Sequence, residues 1–241
     1  KLTGGSNGDS ESTISFGAVA MGYDTFRNSE EIDVSFILQG KAIGGVSGSG
    51  LANYILSNII DYRKDAMLFV SPSYDAVVLP TSKEVKLENV LAYRKSLQNS
   101  SYWFMDSGYK YRYDKYNDKY RWVPLNGDIA GLSARVDPWE SPAGYKRGIV
   151  KNAIKLAYNP EKSHRDALFG SDINPVMSQV GQGIMLFGDK TGLGTESAFN
   201  RINVRRLFIT VEKSIANVAA TFLFDFNDEF TQNQFKNTIT P

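Results

Sequence analysis

The chain of 241 residues contains no cysteine and only one histidine, His164. Without cysteine there can be neither a disulfide scaffold nor a thiolate metal site. A zinc site normally needs three or four nitrogen or sulfur ligands, so a single histidine argues against one and we expect no metal. His164 lies beside Lys162 and Arg165 in a charged stretch. We therefore interpret it as a surface residue rather than as the base of a Ser-His-Asp triad.

A large excess of charge of either sign is also absent. The 27 lysines and arginines nearly balance the 26 aspartates and glutamates, which gives a net charge of +1. This balance argues against wholesale binding to nucleic acid or to an anionic membrane. Apolar runs such as Ile184–Phe187 are far shorter than the about 18–20 residues that a membrane-spanning helix needs. We therefore predict no nucleic acid partner and no membrane partner.

The composition that remains is ordinary for a globular protein, with 42% hydrophobic and 22% charged residues, and it supports a packed core. The first hundred residues alternate helical and strand patterns with short links. The predicted helices are 16–26, 51–64 and 84–97, and the predicted strands are 32–38 and 66–70. Such alternation indicates an α/β fold in which helices are layered around a mainly parallel sheet.

The second half opens with a different pattern. Tyrosines alternate with charged residues through Tyr109–Asp114, and Asn117-Asp118 offers a turn before Tyr120–Val123. This alternation predicts an added β-hairpin with one aromatic face and one charged face. The other predicted elements are helices at 124–136, 161–169, 203–219 and 228–235, and strands at 149–158 and 184–187. We expect two domains, formed by residues 1–196 and 197–241.

Several motifs resemble catalytic or phosphate-binding sites but lack the parts that such sites need. Gly4–Gly8 matches G-x-S-x-G, yet no strand precedes it, so we interpret it as a loop. Gly44–Gly50 lies between a strand and a helix but has no Lys-Ser/Thr pair. Gly188–Gly192 has a Lys-Thr pair without the upstream glycine. We therefore expect turns at the last two positions, and neither a catalytic residue nor a cofactor site.

The hairpin sequence Tyr109–Trp122 mixes aromatic and basic residues, as do surfaces that bind single-stranded nucleic acid. Asp114 and Asp118 dilute the positive charge, and one face of a hairpin must pack on something. We therefore favour packing within the domain, or against another protein.

Three arginines lie at the start of the helix that follows Phe199, namely Arg201, Arg205 and Arg206. Arg201 and Arg205 are four residues apart and share a helix face. Because a helix N-terminus disfavours cations, the cluster predicts an acidic partner. Two sources of that partner remain open, a salt bridge within the domain and a contact with a neighbouring subunit.

A set of short blocks is more specific than any of these motifs. In chain order the blocks are YKYRYDKYND and RWVPL within 109–135, SPAGYKRG at Ser141–Gly148, DINPV at Asp172–Val176, GQGIMLFGDKT at Gly181–Thr191 and FNRINVRRL at Phe199–Leu207. In their order and spacing they resemble the tail sheath proteins of contractile-tailed bacteriophages, most closely those of the T-even type. The resemblance is specific over 108–207 and looser over 1–97.

The resemblance implies a structural protomer and not an enzyme, with a central part that is subtilisin-like in shape. Such protomers form stacked hexameric rings around a tail tube and contract to drive the tube through the host envelope. The implied partners are other sheath protomers, the tail tube protein, and the baseplate and tail terminator proteins. The implied location is the tail of the virion, after assembly in the host cytoplasm.

The resemblance also implies that this chain is a piece without the N-terminal region and most of the C-terminal domain of its family. Those ends carry the strand exchange between neighbours, so we expect the chain by itself to be a monomer. Tyr145, Lys146 and Arg147 of the SPAGYKRG block join the three arginines as candidate interface residues. The alternative from another class is a serine hydrolase-like enzyme of similar α/β shape.

Overall fold

The computed structural model describes Gly4 and residues 14–240, and only the backbone of Val46. The helices of this range are α1 (Phe16–Asp24), α2 (Gly50–Ile55), α3 (Asp61–Arg63), α4 (Tyr74–Val77), α5 (Lys83–Lys95), α6 (Asn126–Ala134), α7 (Lys162–Gly170), α8 (Ile202–Ala220) and α9 (Glu229–Ile239). A π-helical segment, Leu56–Ile60, joins α2 to α3, and 3-10 turns cover Val46–Gly48 and Ala198–Asn200. Within the described range no helix is both long enough and apolar enough to cross a membrane.

The strands form three small sheets. They are β1 (Phe36–Leu38), β2 (Met67–Val70), β3 (Trp103–Met105), β4 (Tyr109–Asp114), β5 (Lys119–Pro124), β6 (Lys155–Leu156), β7 (Val176–Gln179) and β8 (Gly183–Leu186). β1, β2 and β3 make a parallel sheet with β2 in the centre. β5, β4 and β6 make an antiparallel sheet, and β7 pairs with β8 in an antiparallel hairpin.

The parallel sheet is buried on both faces, and β2 shows how. Because successive side chains of a strand point to opposite faces, Leu68 and Val70 enter one apolar core while Met67 and Phe69 enter the other. All four β2 residues are buried. A strand covered on both sides is an uninterrupted apolar run, which is why the sequence of β2 lacks polar alternation.

Helices and short strands cover the two faces. The core on the Leu68 side is filled from α2, α5 and α7 by residues that include Ile55, Tyr93 and Leu168. The core on the Phe69 side is filled from α6, the β7–β8 hairpin and the first half of α8, for example by Ile129 and Ile202. The molecule is therefore layered, with the parallel sheet in the middle.

The α/β class and the added hairpin are confirmed, whereas the mainly parallel sheet is not. Only three of the eight strands in the described range are parallel, because the chain after β3 returns through antiparallel pairs. The subtilisin-like shape stays a prediction, as does the division into residues 1–196 and 197–241. The first half of α8 packs on the second core through Ile202 and Ile209.

The predicted strand at 149–158 is wrong in its extent. Ile149 pairs with Met185 beside β8, whereas Lys155–Leu156 pair with β4 on a different sheet. Between these two contacts Asn152 has a positive φ of 54°, a left-handed conformation that interrupts an extended strand. The segment therefore changes sheets.

Candidate functional site

Three polar residues follow directly after the three strands of the parallel sheet. Gln39 follows β1, Ser71 follows β2 and Asp106 follows β3. The carboxyl ends of parallel strands meet at one edge of a sheet, and in open α/β folds ligands bind there. A reaction centre in this fold would therefore be expected at this edge.

These side chains are bonded to one another and to the start of α6. The Ser71 hydroxyl donates to Asp106 Oδ2 over 2.6 Å and accepts from the backbone N–H of Asn126 over 2.9 Å. Asp106 Oδ1 accepts from the backbone N–H of Gly108 at 2.8 Å. Gln39 donates to the Tyr93 hydroxyl at 2.8 Å and accepts from the Ser71 N–H at 3.2 Å. The network ties the three strands to α5 and α6.

The serine–aspartate pair is not arranged for hydrolysis. Ser71 and Asp106 are at most 1% exposed, so a substrate has no access to the hydroxyl. Burial raises the pKa of Asp106 to about 8, although hydrogen bonds from Ser71 and Gly108 oppose that shift. An acid that is protonated at neutral pH is a poor general base. His164 instead bonds through Nδ1 with the Tyr158 hydroxyl at 3.1 Å, so it does not serve Ser71.

The glycine-rich turns bond to their own backbone. The N–H groups of Gly50 and Leu51, at the start of α2, donate to the carbonyls of Gly44 and Ile43 at 2.9 and 3.0 Å. A Cβ on Gly50 would lie 2.7 Å from the carbonyl carbon of Gly44, which explains the glycine without a ligand. The Gly4–Gly8 motif lies almost entirely outside the described residues.

The Lys190-Thr191 pair is likewise used inside the fold. Lys190 Nζ donates to the Phe169 carbonyl at 2.9 Å, and the buried Thr191 hydroxyl donates to the Phe199 carbonyl at 2.7 Å. Within the described range no group of three or more histidine, cysteine, aspartate or glutamate side chains could hold a metal ion.

The three arginines of the FNRINVRRL block occupy three different environments. Arg201 pairs with Asp189 and is half exposed. Arg205 is buried between two rings, with its guanidinium carbon 3.9 Å from the Phe199 centroid and 4.3 Å from that of Tyr102. Arg201 therefore has an acidic partner within the chain, while Arg205 has aromatic rather than acidic neighbours.

Arg206 points to the other side of α8 and is also buried. It donates to the carbonyls of Val136 and Asp137 at 3.1 and 3.4 Å, just after α6. Burial lowers the pKa of its guanidinium. Arg205 and Arg206 therefore hold α8 to the layered part of the molecule. Of the three arginines, Arg201 is the one with an exposed side chain.

The SPAGYKRG block forms a turn between α6 and β6 along the chain, and its backbone bonds to Leu186 of β8. The Tyr145 hydroxyl donates to Gln179 Oε1 at 2.9 Å, while about half of the residue is exposed. Arg147 forms an ion pair with Glu140. Lys146 is exposed and has no ion pair with any described residue. The block therefore presents a tyrosine and a lysine to solvent.

The β4–β5 hairpin separates its aromatic and its basic side chains. On one face Tyr111 packs on Trp122 with centroids 4.7 Å apart, and Lys155 lies 5.0 Å from the Tyr111 ring. On the other face Arg112 lies directly opposite Arg121. Single-strand binding combines stacking rings with a basic groove on one surface, whereas within this hairpin the paired rings and the paired arginines lie on opposite faces. Hairpin register could have identified the arginine pair from the sequence.

One face of α8 and the segment after it expose apolar side chains. Phe208, Val211 and Ile215 are each more than a third exposed. Phe224 and Phe226 lie between α8 and α9 and are almost fully exposed. Phe222, in the turn after α8, packs on Phe235 of α9 with ring centroids 5.5 Å apart.

The fold is that of contractile sheath subunits. The sheath complex of an extracellular contractile injection system, in its contracted state, aligns with 93% of this chain and 63% of its own, with a TM-score of 0.65 and 14% identity. A crystal structure of a sheath tail protein from Desulfitobacterium hafniense aligns with 94% of this chain and 48% of its own, with a TM-score of 0.62 and 11% identity. At such identities the likeness shows the fold alone.

Sequence comparison is more specific. The chain is 38% identical to the tail sheath protein of Enterobacteria phage T4, over 98% of this chain and 37% of that protein. It is 39% identical to the tail sheath protein of Vibrio phage KVP40, over 90% of this chain and 35% of that protein. No protein-family model matches the chain. The resemblance to the phage tail sheath proteins is confirmed, and the chain spans little more than a third of their length.

Proposed function

We propose that this chain is part of a tail sheath protomer that forms stacked hexameric rings around a tail tube. Contraction of those rings would drive the tube through the host envelope. The observation that carries the proposal is 38–39% identity to tail sheath proteins along nearly the whole chain. The layered fold, with its close likeness to sheath subunits, supports it independently.

The same proposal names partners and a place. The partners are other sheath protomers, the tail tube protein, and the baseplate and tail terminator proteins. The protomer would assemble in the host cytoplasm and reside in the tail of the virion. It would act as a mechanical part and not as an enzyme, because a sheath works by repacking interfaces between rigid subunits.

The candidate interface residues divide into two groups under this proposal. Tyr145, Lys146 and Arg201 have exposed side chains that a neighbouring protomer could contact. Arg205 and Arg206 are buried within this chain, so their role would be to hold α8 in place. Arg147 is half-buried beside Glu140 and would shape the turn that presents Tyr145. We also propose that the C-terminal domain begins at residue 197.

Negative-stain electron microscopy of the full-length sheath protein tests the proposal. We expect hollow tubes or rings, because contacts that are not self-complementary close into rings or continue as helices. A persistently monodisperse monomer at high concentration would contradict it. The 241-residue chain alone is expected to remain a monomer, which light scattering would check.

A serine hydrolase-like activity is the second candidate, since Ser71 and Asp106 are bonded at the edge where α/β enzymes react. A serine-reactive phosphonate probe separates the two. We expect no labelling of the folded chain, with Ser71→Ala as the matched control. Labelling that disappears in this variant, or labelling of Ser6, would favour the hydrolase.

A further inference from the structure

The β4–β5 hairpin carries a pair of arginines whose charges are not both compensated within the chain. Arg112 and Arg121 face each other across β4 and β5. Like charges directly opposite on a sheet face are destabilising. Arg121 is paired with Asp114 at 3.0 Å, but no described carboxylate lies within ion-pair distance of Arg112. One arginine of the pair is therefore left without an internal partner.

A groove of about 610 Å³ lies beside this pair. Its wall includes Lys41, which follows β1, and the two hairpin arginines. Lys110 also reaches the groove but is already bonded to Asp128 at 2.7 Å. The charged groups around the groove are four cations, Lys41, Lys110, Arg112 and Arg121, and two carboxylates, Asp114 and Asp128. The groove is therefore positively charged.

The groove lies at the carboxyl end of the parallel sheet. Gly40 and Lys41 come just after β1, while Tyr109 and Lys110 come just after β3. Parallel strands all run in one direction, so these segments share one end of the molecule. The opposite end is formed by the segments that lead into the strands.

One surface depression at that opposite end is acidic. Asp24, Glu30 and Glu31 surround this depression together with Arg27. The three carboxylates outnumber the arginine, and Arg27 lies over the Tyr62 ring at 4.9 Å. Glu30 and Glu31 are exposed, and neither forms an ion pair within the described part of the chain. We refer to residues 24–31 as the acidic loop.

We propose that the groove binds the acidic loop of a second copy of this chain. Opposite charges at opposite ends of one sheet favour a head-to-tail contact, and such contacts generate rings or open helices. The inference rests on the proposed sheath function and adds to it a specific pair of surfaces. It also gives Arg112 the acidic partner that the isolated chain lacks.

Charge swapping in the full-length sheath protein tests the pairing. Arg112→Glu with Arg121→Glu should raise the concentration needed for tube assembly at least about tenfold, because attraction becomes repulsion. Adding Glu30→Lys and Glu31→Lys to the same chain restores opposite signs and should restore assembly. Lys95→Glu with Lys162→Glu changes net charge equally at exposed positions outside the groove and should leave assembly unchanged.

The outcomes distinguish a failure of the proposed pairing from a failure of the proposed function. Normal assembly of the double arginine variant would overturn the inference but leave the proposed function standing. Loss of assembly that the glutamate-to-lysine changes do not rescue would exclude the acidic loop as the occupant. Failure of the unsubstituted protein to assemble would overturn the proposed function itself. Circular dichroism of each variant must first show an unchanged fold.

A nucleic acid is the alternative ligand for the groove, and its binding is measured with the same set of proteins. Fluorescence anisotropy of a labelled single-stranded oligonucleotide should show no saturable binding. Saturable binding that Arg112→Glu with Arg121→Glu abolishes would overturn the inference in favour of nucleic acid. Weakening of assembly as salt concentration rises is expected for a contact between exposed charges.

Discussion

The carboxyl end of the parallel sheet and the hairpin of α8 and α9 expose their side chains in opposite ways. At the sheet, polar groups such as Ser71 and Asp106 are buried and have partners within the chain. In the helical hairpin, apolar groups such as Phe224 and Phe226 are exposed. The layered part therefore supplies most of the stability, whereas the exposed apolar surface of the α8–α9 hairpin is not explained by the folding of this chain.

The largest expected effect comes from removing a ring at the centre of the sheet. Phe69→Ala deletes a side chain that is 0% exposed and contacts the rings of Phe36 and Phe104. We expect the free energy of unfolding to fall by about 3–5 kcal/mol, measured by urea denaturation. Phe226→Ala is the matched control and should change it by no more than about 0.5 kcal/mol. Similar losses for both variants would contradict the view that the layered part supplies most of the stability.

A smaller loss of unfolding free energy is expected from a substitution in the polar network at the carboxyl end of the same sheet. Ser71→Ala leaves Asp106 without its hydroxyl donor and the Asn126 N–H without its acceptor. We expect a loss of about 1–3 kcal/mol, the cost of leaving buried polar groups unpaired. Ser57→Ala, at an exposed serine on the π-helical segment, should change the stability by no more than about 0.5 kcal/mol. Equal effects at the two serines would mean that the network adds nothing.

The protonation of Asp106 gives a third effect, which depends on pH. Its pKa of about 8 lies above the value of about 3.9 for an unfolded aspartate. The folded chain therefore binds a proton more tightly than the unfolded chain does. The stability from this proton is complete below about pH 4 and is lost as the pH rises toward 8.

Asp106→Asn replaces the protonated acid with a neutral group of similar shape. We expect the decline in unfolding free energy between pH 5 and 8 to become shallower in this variant, by urea denaturation at each pH. The pKa values of Asp114 and Asp228 are lowered, so both carboxylates titrate below this pH range and do not contribute to the slope within it. Asp166→Asn, at an exposed carboxylate, should keep the slope of the parent chain. An unchanged slope in Asp106→Asn would show that the acid is already ionised.

Much of the layered part could be predicted from its sequence, because its elements have strong local patterns. The apolar run of β2 and the alternation of the β4–β5 hairpin are both found where they were predicted. The sequence does not predict β3, because Trp103–Met105 is only three residues long and shows no periodicity. The same holds for β7, whose Val176–Gln179 is half polar.

The polar network could not be predicted, for a different reason. Gln39, Ser71 and Asp106 are far apart in the chain and meet only because three parallel strands end at the same edge. The sequence does not predict the burial of Arg205 for a related reason. Its face of α8 is fixed by packing against Tyr102 and Phe199, and no local sequence pattern reports that packing.

The smallest expected effect on stability lies in the α8–α9 hairpin. It differs in sign between substitutions at two residues that are adjacent in the sequence. Phe224 has a positive φ of 76°, a conformation that costs a bulky residue about 1–2 kcal/mol and glycine almost nothing. Phe224→Gly therefore removes strain while losing no buried contact, and the gain is offset in part by the greater entropy of the unfolded chain. We expect the free energy of local opening of α9, from amide hydrogen exchange, to be unchanged or to rise by up to about 1 kcal/mol. Leu223→Gly, one residue earlier and without a positive φ, should lower it by about 0.5–1 kcal/mol. A clear loss in Phe224→Gly would mean that the exposed ring already has a stabilising contact, and the contrast between the two regions would then fail.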